Sequence, residues 1–232
     1  MRKQLPILVF AAHPDDEVIG CGGSIAKHIK AGNSVEVVYF TSSDASGDVS
    51  RAHAREKEAR NACKILGVSN PHFMRRQGRF LKYDKEILED TVRTLKESDP
   101  SYVYTHHPSD GDRDHVIAYR ITNEACWLAS KPYMPQCGPN ICHISGVLLY
   151  EICRPILNYQ YVEDISGYMN VKLKALKEYK SQLLLVRYDE AVKGLNRYRG
   201  IMSGHGEYAE VFGIKHFERF FNFSFSGQET AT

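Results

Sequence analysis

The stretch ILVFAAHPDDEVIGCGG, residues 7–23, constrains this chain more than any other. An apolar run, Leu5 to Ala12, is followed at once by His13, Pro14, Asp15, Asp16 and Glu17, and then by a glycine cluster. A near-continuous apolar run of this length is the pattern of a strand buried on both faces of a parallel sheet. Three carboxylates crowded at its end repel one another unless a cation sits among them. With an imidazole beside them, the residue types point to a divalent metal, zinc first of all. Hydrolytic zinc takes three protein ligands from His, Asp, Glu or Cys and leaves one position for water.

The rest of the chain alternates. GGSIAKHIKAG reads as a helix that stops at Gly32. Ser34 to Thr41 is β-branched and aromatic, hence a strand. Arg51 to Leu66 reads as an amphipathic helix closed by Gly67. A short strand near Pro71 to Met74, a helix over Asp84 to Lys96, a strand over Tyr102 to His106 and a helix from His115 to Ala129 follow. Gly146 to Ile152 reads as a further central strand. Gly167 to Leu185 and Tyr188 to Met202 read as helices, and KHFERFFNFSF as a short aromatic strand or packed tail. The order predicts a single α/β domain over residues 1–232, a Rossmann-like, doubly wound and mostly parallel sheet flanked by helices.

In open α/β sheets, sites form beyond the carboxyl ends of strands. Two motifs lie there: His13-Pro14-Asp15-Asp16, and YTHHPSDGDRDH, in which the strand Tyr102 to His106 runs into Asp110, Asp112, Asp114 and His115. His13 and Asp16 suit two metal positions, and His115, opening a helix at a neighbouring strand, supplies the third. Asp15 then stands beside the metal as a general base for its water. Taken singly, each piece has a plainer reading. His-Pro-Asp makes turns, carboxylates favour helix N-termini, and the Asp110 to Asp114 run suits a solvated loop with a helix cap. Only their coincidence at two strand ends favours the metal.

AHPDDE after a first strand, with a later Asp114-His115 after another, resembles the PIG-L/LmbE family of zinc-dependent sugar N-deacetylases. Arg55-Glu56-Lys57-Glu58 followed by Ile65-Leu66-Gly67-Val68 also resembles that family, as do Tyr150-Glu151, Asp164-Ile165-Ser166, Lys172, Tyr179-Lys180-Ser181-Gln182, Arg199-Gly200 and Tyr208 to Phe212. The resemblance implies removal of an acetyl group from an N-acetylglucosamine-type amino sugar, giving acetate and a free amine. It implies His13, Asp16 and His115 as ligands of zinc or another divalent ion, Asp15 as base, and Arg55 as a substrate-binding arginine. Arg55 has a second reading, as an exposed helix residue paired with Glu56 or Glu58. Many relatives carry a histidine three residues before the ligand histidine, where this chain has Asp112. Asp112 and Asp114 are therefore expected with Asp15 in the catalytic group and His107 on the substrate side, with His106 and His205 as further candidates for the acid.

Lys and Arg number 30 against 28 Asp and Glu, a balance that argues against a nucleic-acid partner. No apolar run reaches the roughly 20 residues of a membrane span. The apolar N-terminal stretch is short and runs into HPDDE without a cleavage context, so a first strand is expected rather than a signal peptide. Six cysteines without a CxxC pair suggest reduced, mostly buried thiols and a cytoplasmic protein. The resemblance implies a homo-oligomer. Rival readings are a dinucleotide-binding protein using Gly20-Cys21-Gly22-Gly23, which HPDDE disfavours by placing negative charge where a pyrophosphate would approach; a metal- and sugar-binding protein without catalysis; and an amidase acting on a larger sugar conjugate. Substrate choice is expected to lie in loops such as Ser42 to Ser50 and Lys131 to Cys142. Arg75 to Arg79 reads as a solvated basic loop.

Overall fold

In the computed structural model, residues 4–42 and 46–217 are described. The first apolar run forms β1, Pro6–Ala11. Its side chains alternate between two cores. Ile7, Val9 and Ala11 enter one and Leu8, Phe10 and Ala12 the other, which is why the run shows no polar alternation. β2 (Ser34–Thr41), β3 (His72–Arg76), β4 (Tyr102–His106) and β5 (Gly146–Tyr150) join it in parallel. Two strands not expected as such complete the sheet. β7 (Ala209–Phe217) runs antiparallel to β5, and β6 (Tyr161–Asp164) antiparallel to β7, giving the order β3-β2-β1-β4-β5-β7-β6. Of the aromatic tail KHFERFFNFSF, Lys215 to Phe217 end β7; residues 218–225 lie outside the described residues, as do 43–45 of the loop expected to select substrate.

Helices α1 (Asp16–Lys30), α2 (Val49–Leu66) and α5 (Met169–Leu176) cover one face of the sheet. α3 (Lys85–Ser98) and α4 (Arg113–Ala129) cover the other. Chain direction across the sheet reverses at β1, which lies between β2 and β4. The two charged motifs follow β1 and β4, so they share one crevice. Among the described residues no helix is long and apolar enough to cross a membrane. All six cysteines are free, and only Cys153 is exposed.

The expected helix Gly167 to Leu185 is in fact two, α5 and the short α6 (Lys180–Leu183), with Tyr179 between them in a non-helical conformation. α7 (Tyr188–Ser203) follows as expected. The last central strand stops at Tyr150, two residues early. α1 also starts earlier than its sequence suggests, at Asp16, and so takes in the glycine cluster. It is kinked at Cys21 (φ −146°, ψ 22°). The half-helix beyond the kink has its own free N–H groups. Glu210 accepts from Gly23 N, Ser24 N and Ser24 Oγ at 2.6–2.8 Å, and is itself held by buried Lys172 at 2.7 Å. The glycines permit close packing: a Cβ on Gly20 would meet the Tyr150 ring at 2.4 Å, and one on Gly23 would meet Ile165 at 2.7 Å.

Candidate metal centre

The turn after β1 is tied by its own side chains. His13 N–H donates to Asp16 Oδ2 (2.7 Å), and the Asp15 carbonyl accepts from Val18 and Ile19, starting α1. On the neighbouring strand end, Asp112 caps α4 by accepting from Asp114 N–H (2.8 Å), which sets His115 in the first turn. Crossover folding brings the two turns together. His13 Nδ1 lies 3.2 Å from His115 Nε2 and 3.5 Å from Asp16 Oδ2, and His115 Nε2 lies 3.3 Å from Asp16 Oδ1.

These edges match a metal's needs. Ligands about 2.0–2.1 Å from a tetrahedral ion stand about 3.3 Å apart. Each imidazole is also oriented from its far side. His13 Nε2 faces Asp114 Oδ2 at 3.2 Å, and His115 Nδ1 faces Asp110 Oδ1 at 2.9 Å. A carboxylate behind the imidazole fixes its tautomer and directs the other nitrogen at the ion. Positive charge is favoured at this point. Against the desolvation that lowers it, Asp114 and Asp16 lift the His13 pKa to about 9, and Asp16 and Asp110 raise that of His115 still further. His115 and His106 hold Asp16 well below the usual carboxylate range despite its burial. Two other groupings, Asp110-His115-Cys153 and His13-Asp112-Asp114, also bring potential ligand atoms together. Asp110 and Asp114 are the orienting partners, already taken up by hydrogen bonds from Asp112 N, Cys153 N and Arg79 N, and Asp112 accepts from Asp114 N and Arg79.

Asp15 forms no ion pair with the triangle. It adopts φ 124°, a region non-glycine residues avoid, and its carboxylate lies 3.4 Å from Arg55 Nη2. Burial pushes its pKa up to about 7, while Arg55 pulls it down. Arg55 is buried, not exposed as its plainer reading had it, and donates to the Pro14 carbonyl at 2.7 Å. Its Nε is buried and has no hydrogen-bond partner among the described residues. Glu56 and Glu58, offered as its partners by the plainer reading, bond Arg75 and Ser181 instead.

The other expected residues are placed differently. Asp112 has one oxygen on the α4 cap and the other paired with Arg79. Asp114 lies behind His13. His107 accepts from Ser109 N–H within its own loop, and exposed His205 bonds Ser203 at the end of α7; neither contacts the triangle. His106, fully buried, packs against His115. Asp110 was read as part of the second motif but was given no role, though its spacing of five from His115 was a usable signal. Tyr188 had no role in the sequence reading; burial first, then the charges of Asp15, Cys153 and Asp16, raise its phenol.

A triangle of two imidazoles and one carboxylate at the switch point of a doubly wound sheet, with a second carboxylate beside it and outside the triangle, defines an α/β protein with a candidate His2Asp metal centre. Residues 8–126 match PIG-L, the GlcNAc-PI de-N-acetylase family, and the chain belongs to that family. It is 31% identical over 222 residues to diacetylchitobiose deacetylase of Thermococcus kodakarensis, covering 88% of this chain and 80% of that one. It is 32% identical over 189 residues to the uncharacterized deacetylase YaiS of Escherichia coli, covering 78% and 93%. The solved structure of the conserved protein TT1542 from Thermus thermophilus superposes with a TM-score of 0.80 at 27% identity, over 91% of this chain and 95% of that one.

Proposed function

We propose that this chain is a divalent-metal hydrolase, with zinc the first candidate, that removes the N-acetyl group of an N-acetylglucosamine-type amino sugar or its conjugate. The observation that carries the reading is the 3.2–3.5 Å triangle of His13, Asp16 and His115 with Asp15 outside it. The relatives' deacetylase names support the same chemistry.

His13, Asp16 and His115 would hold the ion, which when bound polarises the amide carbonyl and acidifies water. Asp15, with its pKa near 7, takes a proton from the attacking water as the water oxygen bonds to the carbonyl carbon. As the C–N bond breaks, Asp15 returns that proton to the departing amine nitrogen, leaving acetate and a free amino sugar. Arg55 holds Asp15 from behind. Asp110 and Asp114 fix the two imidazoles. Asp112 shapes the α4 terminus and anchors Arg79, so the proton return rests with Asp15 rather than with Asp112.

The test is amine release from N,N'-diacetylchitobiose and inositol-linked N-acetylglucosamine, with zinc present and after chelation. Release that stops on chelation and resumes with zinc is expected. Asp15→Ala should keep its zinc and lose about 10²–10⁴-fold in kcat. Stoichiometric zinc with no amine release from any conjugate would favour a binding protein instead. Release indifferent to chelation would remove the metal from the reaction.

A further inference from the structure

Glu17 is the one carboxylate of the HPDDE motif that the reaction above does not use. It is fully buried. Its Oε1 accepts from Tyr179 Oη at 2.5 Å and its Oε2 from Asp15 N–H at 3.2 Å. The second contact matters because of the peptide it touches. The Pro14 carbonyl and the Asp15 N–H belong to one rigid plane. Arg55 holds the carbonyl end at 2.7 Å, and Glu17 holds the N–H end. That plane determines the Asp15 φ of 124°, a conformation that costs about 1–3 kcal/mol and persists only where its surroundings enforce it.

The support for Glu17 comes from far along the chain. Tyr179 is fully buried, at the break between α5 and α6. Two residues on, Ser181 N and Oγ donate to Glu58 at 2.9 and 2.6 Å. Glu58 lies one turn from Arg55 on α2, so both arms of the clamp rest on the same helix.

We propose that Glu17 and Tyr179 are positioning residues that clamp the Pro14–Asp15 peptide and so aim the Asp15 carboxylate at the reacting water. The proposal rests on Asp15 being the base. A misplacement of about 1 Å in such a group is worth about 10²-fold in rate. Neither side chain hydrogen-bonds a side chain of the triangle.

The test uses full-length, zinc-loaded protein and a conjugate that the wild type turns over. Tyr179→Phe keeps the ring and removes one hydroxyl. Its kcat should fall about 10–100-fold, with KM and zinc stoichiometry unchanged, and its crystal structure should show Asp15 moved or its φ relaxed. Glu17→Gln retains an acceptor for Asp15 N–H and should stay close to wild type. Glu17→Met, of similar size without an acceptor for that N–H, should match Tyr179→Phe. Wild-type kcat in Tyr179→Phe and Glu17→Met overturns the clamp. So does a fall in kcat with Asp15 unmoved, or one that merely follows loss of zinc or of fold. Asp15→Ala is run alongside. If it stays fully active, the base assignment fails and the clamp fails with it; if it is inactive while both clamp variants are normal, only the clamp fails.

Discussion

The ring of His106 lies almost flat on that of His115, with centroids 4.2 Å apart and planes 20° from parallel. His106 Nε2 accepts from Ala12 N–H at 2.9 Å, so the ring carries its hydrogen on Nδ1. Burial and the neighbouring His115 push its pKa down to about 4. An imidazole of lowered pKa wedged between a strand end and His115, a candidate ligand, suits a wall behind the site better than the acid that the sequence offered.

His106→Phe keeps the stacked ring and leaves the Ala12 N–H without its acceptor. Stability should fall by about 1–3 kcal/mol in urea unfolding. At saturating zinc, kcat of the folded variant should stay within about tenfold of wild type, where loss of a general acid would take about 10²–10⁴-fold.

Asp110 holds His115 Nδ1 at 2.9 Å and also accepts from Cys153 N–H at 3.0 Å. Asp110→Asn should weaken zinc binding by about 10–100-fold, read by competition with a chelating dye. Unchanged affinity would mean that the aspartate does not orient the ligand.

His28 provides a pH prediction away from the site. It is buried against Tyr104 Oη at 2.9 Å, and burial, with Lys27, lowers its pKa from 6.5 to about 3. Above pH 6.5 it is neutral in both states and the stability is fully present. Between 6.5 and 3 the unfolded chain binds a proton that the folded chain refuses, so stability falls as pH falls. From pH 7 to 5 the wild type should lose about 2 kcal/mol more than His28→Gln.

Gly23→Ala places a methyl group 2.7 Å from Ile165 Cβ, which cannot rotate away. It should destabilise by about 1–3 kcal/mol. Gly194 lies mid-helix in α7 with open space around its Cβ direction. Gly194→Ala should therefore stabilise by about 0.5–1 kcal/mol. Opposite shifts in the urea midpoint check both.

The strands most legible in the sequence were those whose environment is uniform. β4, buried throughout, and β2, buried from Val37 onward, have the bounds that their β-branched and aromatic runs announce, because a strand segment covered on both faces favours a near-continuous apolar run. β6 is four residues long and partly exposed, so it left no pattern to read. The break between α5 and α6 was hidden for another reason. The segment has helical composition, and Tyr179 leaves the helix at a place where its hydroxyl meets Glu17, a partner 162 residues away. Several of the later segments noted in the sequence prove to be structural contacts: Glu151 with Arg199 and Lys172 with Glu210, both buried, and Ser181 with Glu58, half-buried.

The sequence by itself determined the parallel sheet, the two strand ends that carry charge, and the residue types able to hold an ion there. Those follow from local rules: side-chain period, apolar continuity, and the repulsion of crowded carboxylates. Only the tertiary structure decided which nitrogen of each histidine faces the triangle, that Asp110 and Asp114 stand behind the rings, and that Asp15 is held apart by Arg55 and Glu17. Such assignments depend on distances of about 3 Å between residues as much as 102 positions apart, and chain crossover, not sequence spacing, sets those distances.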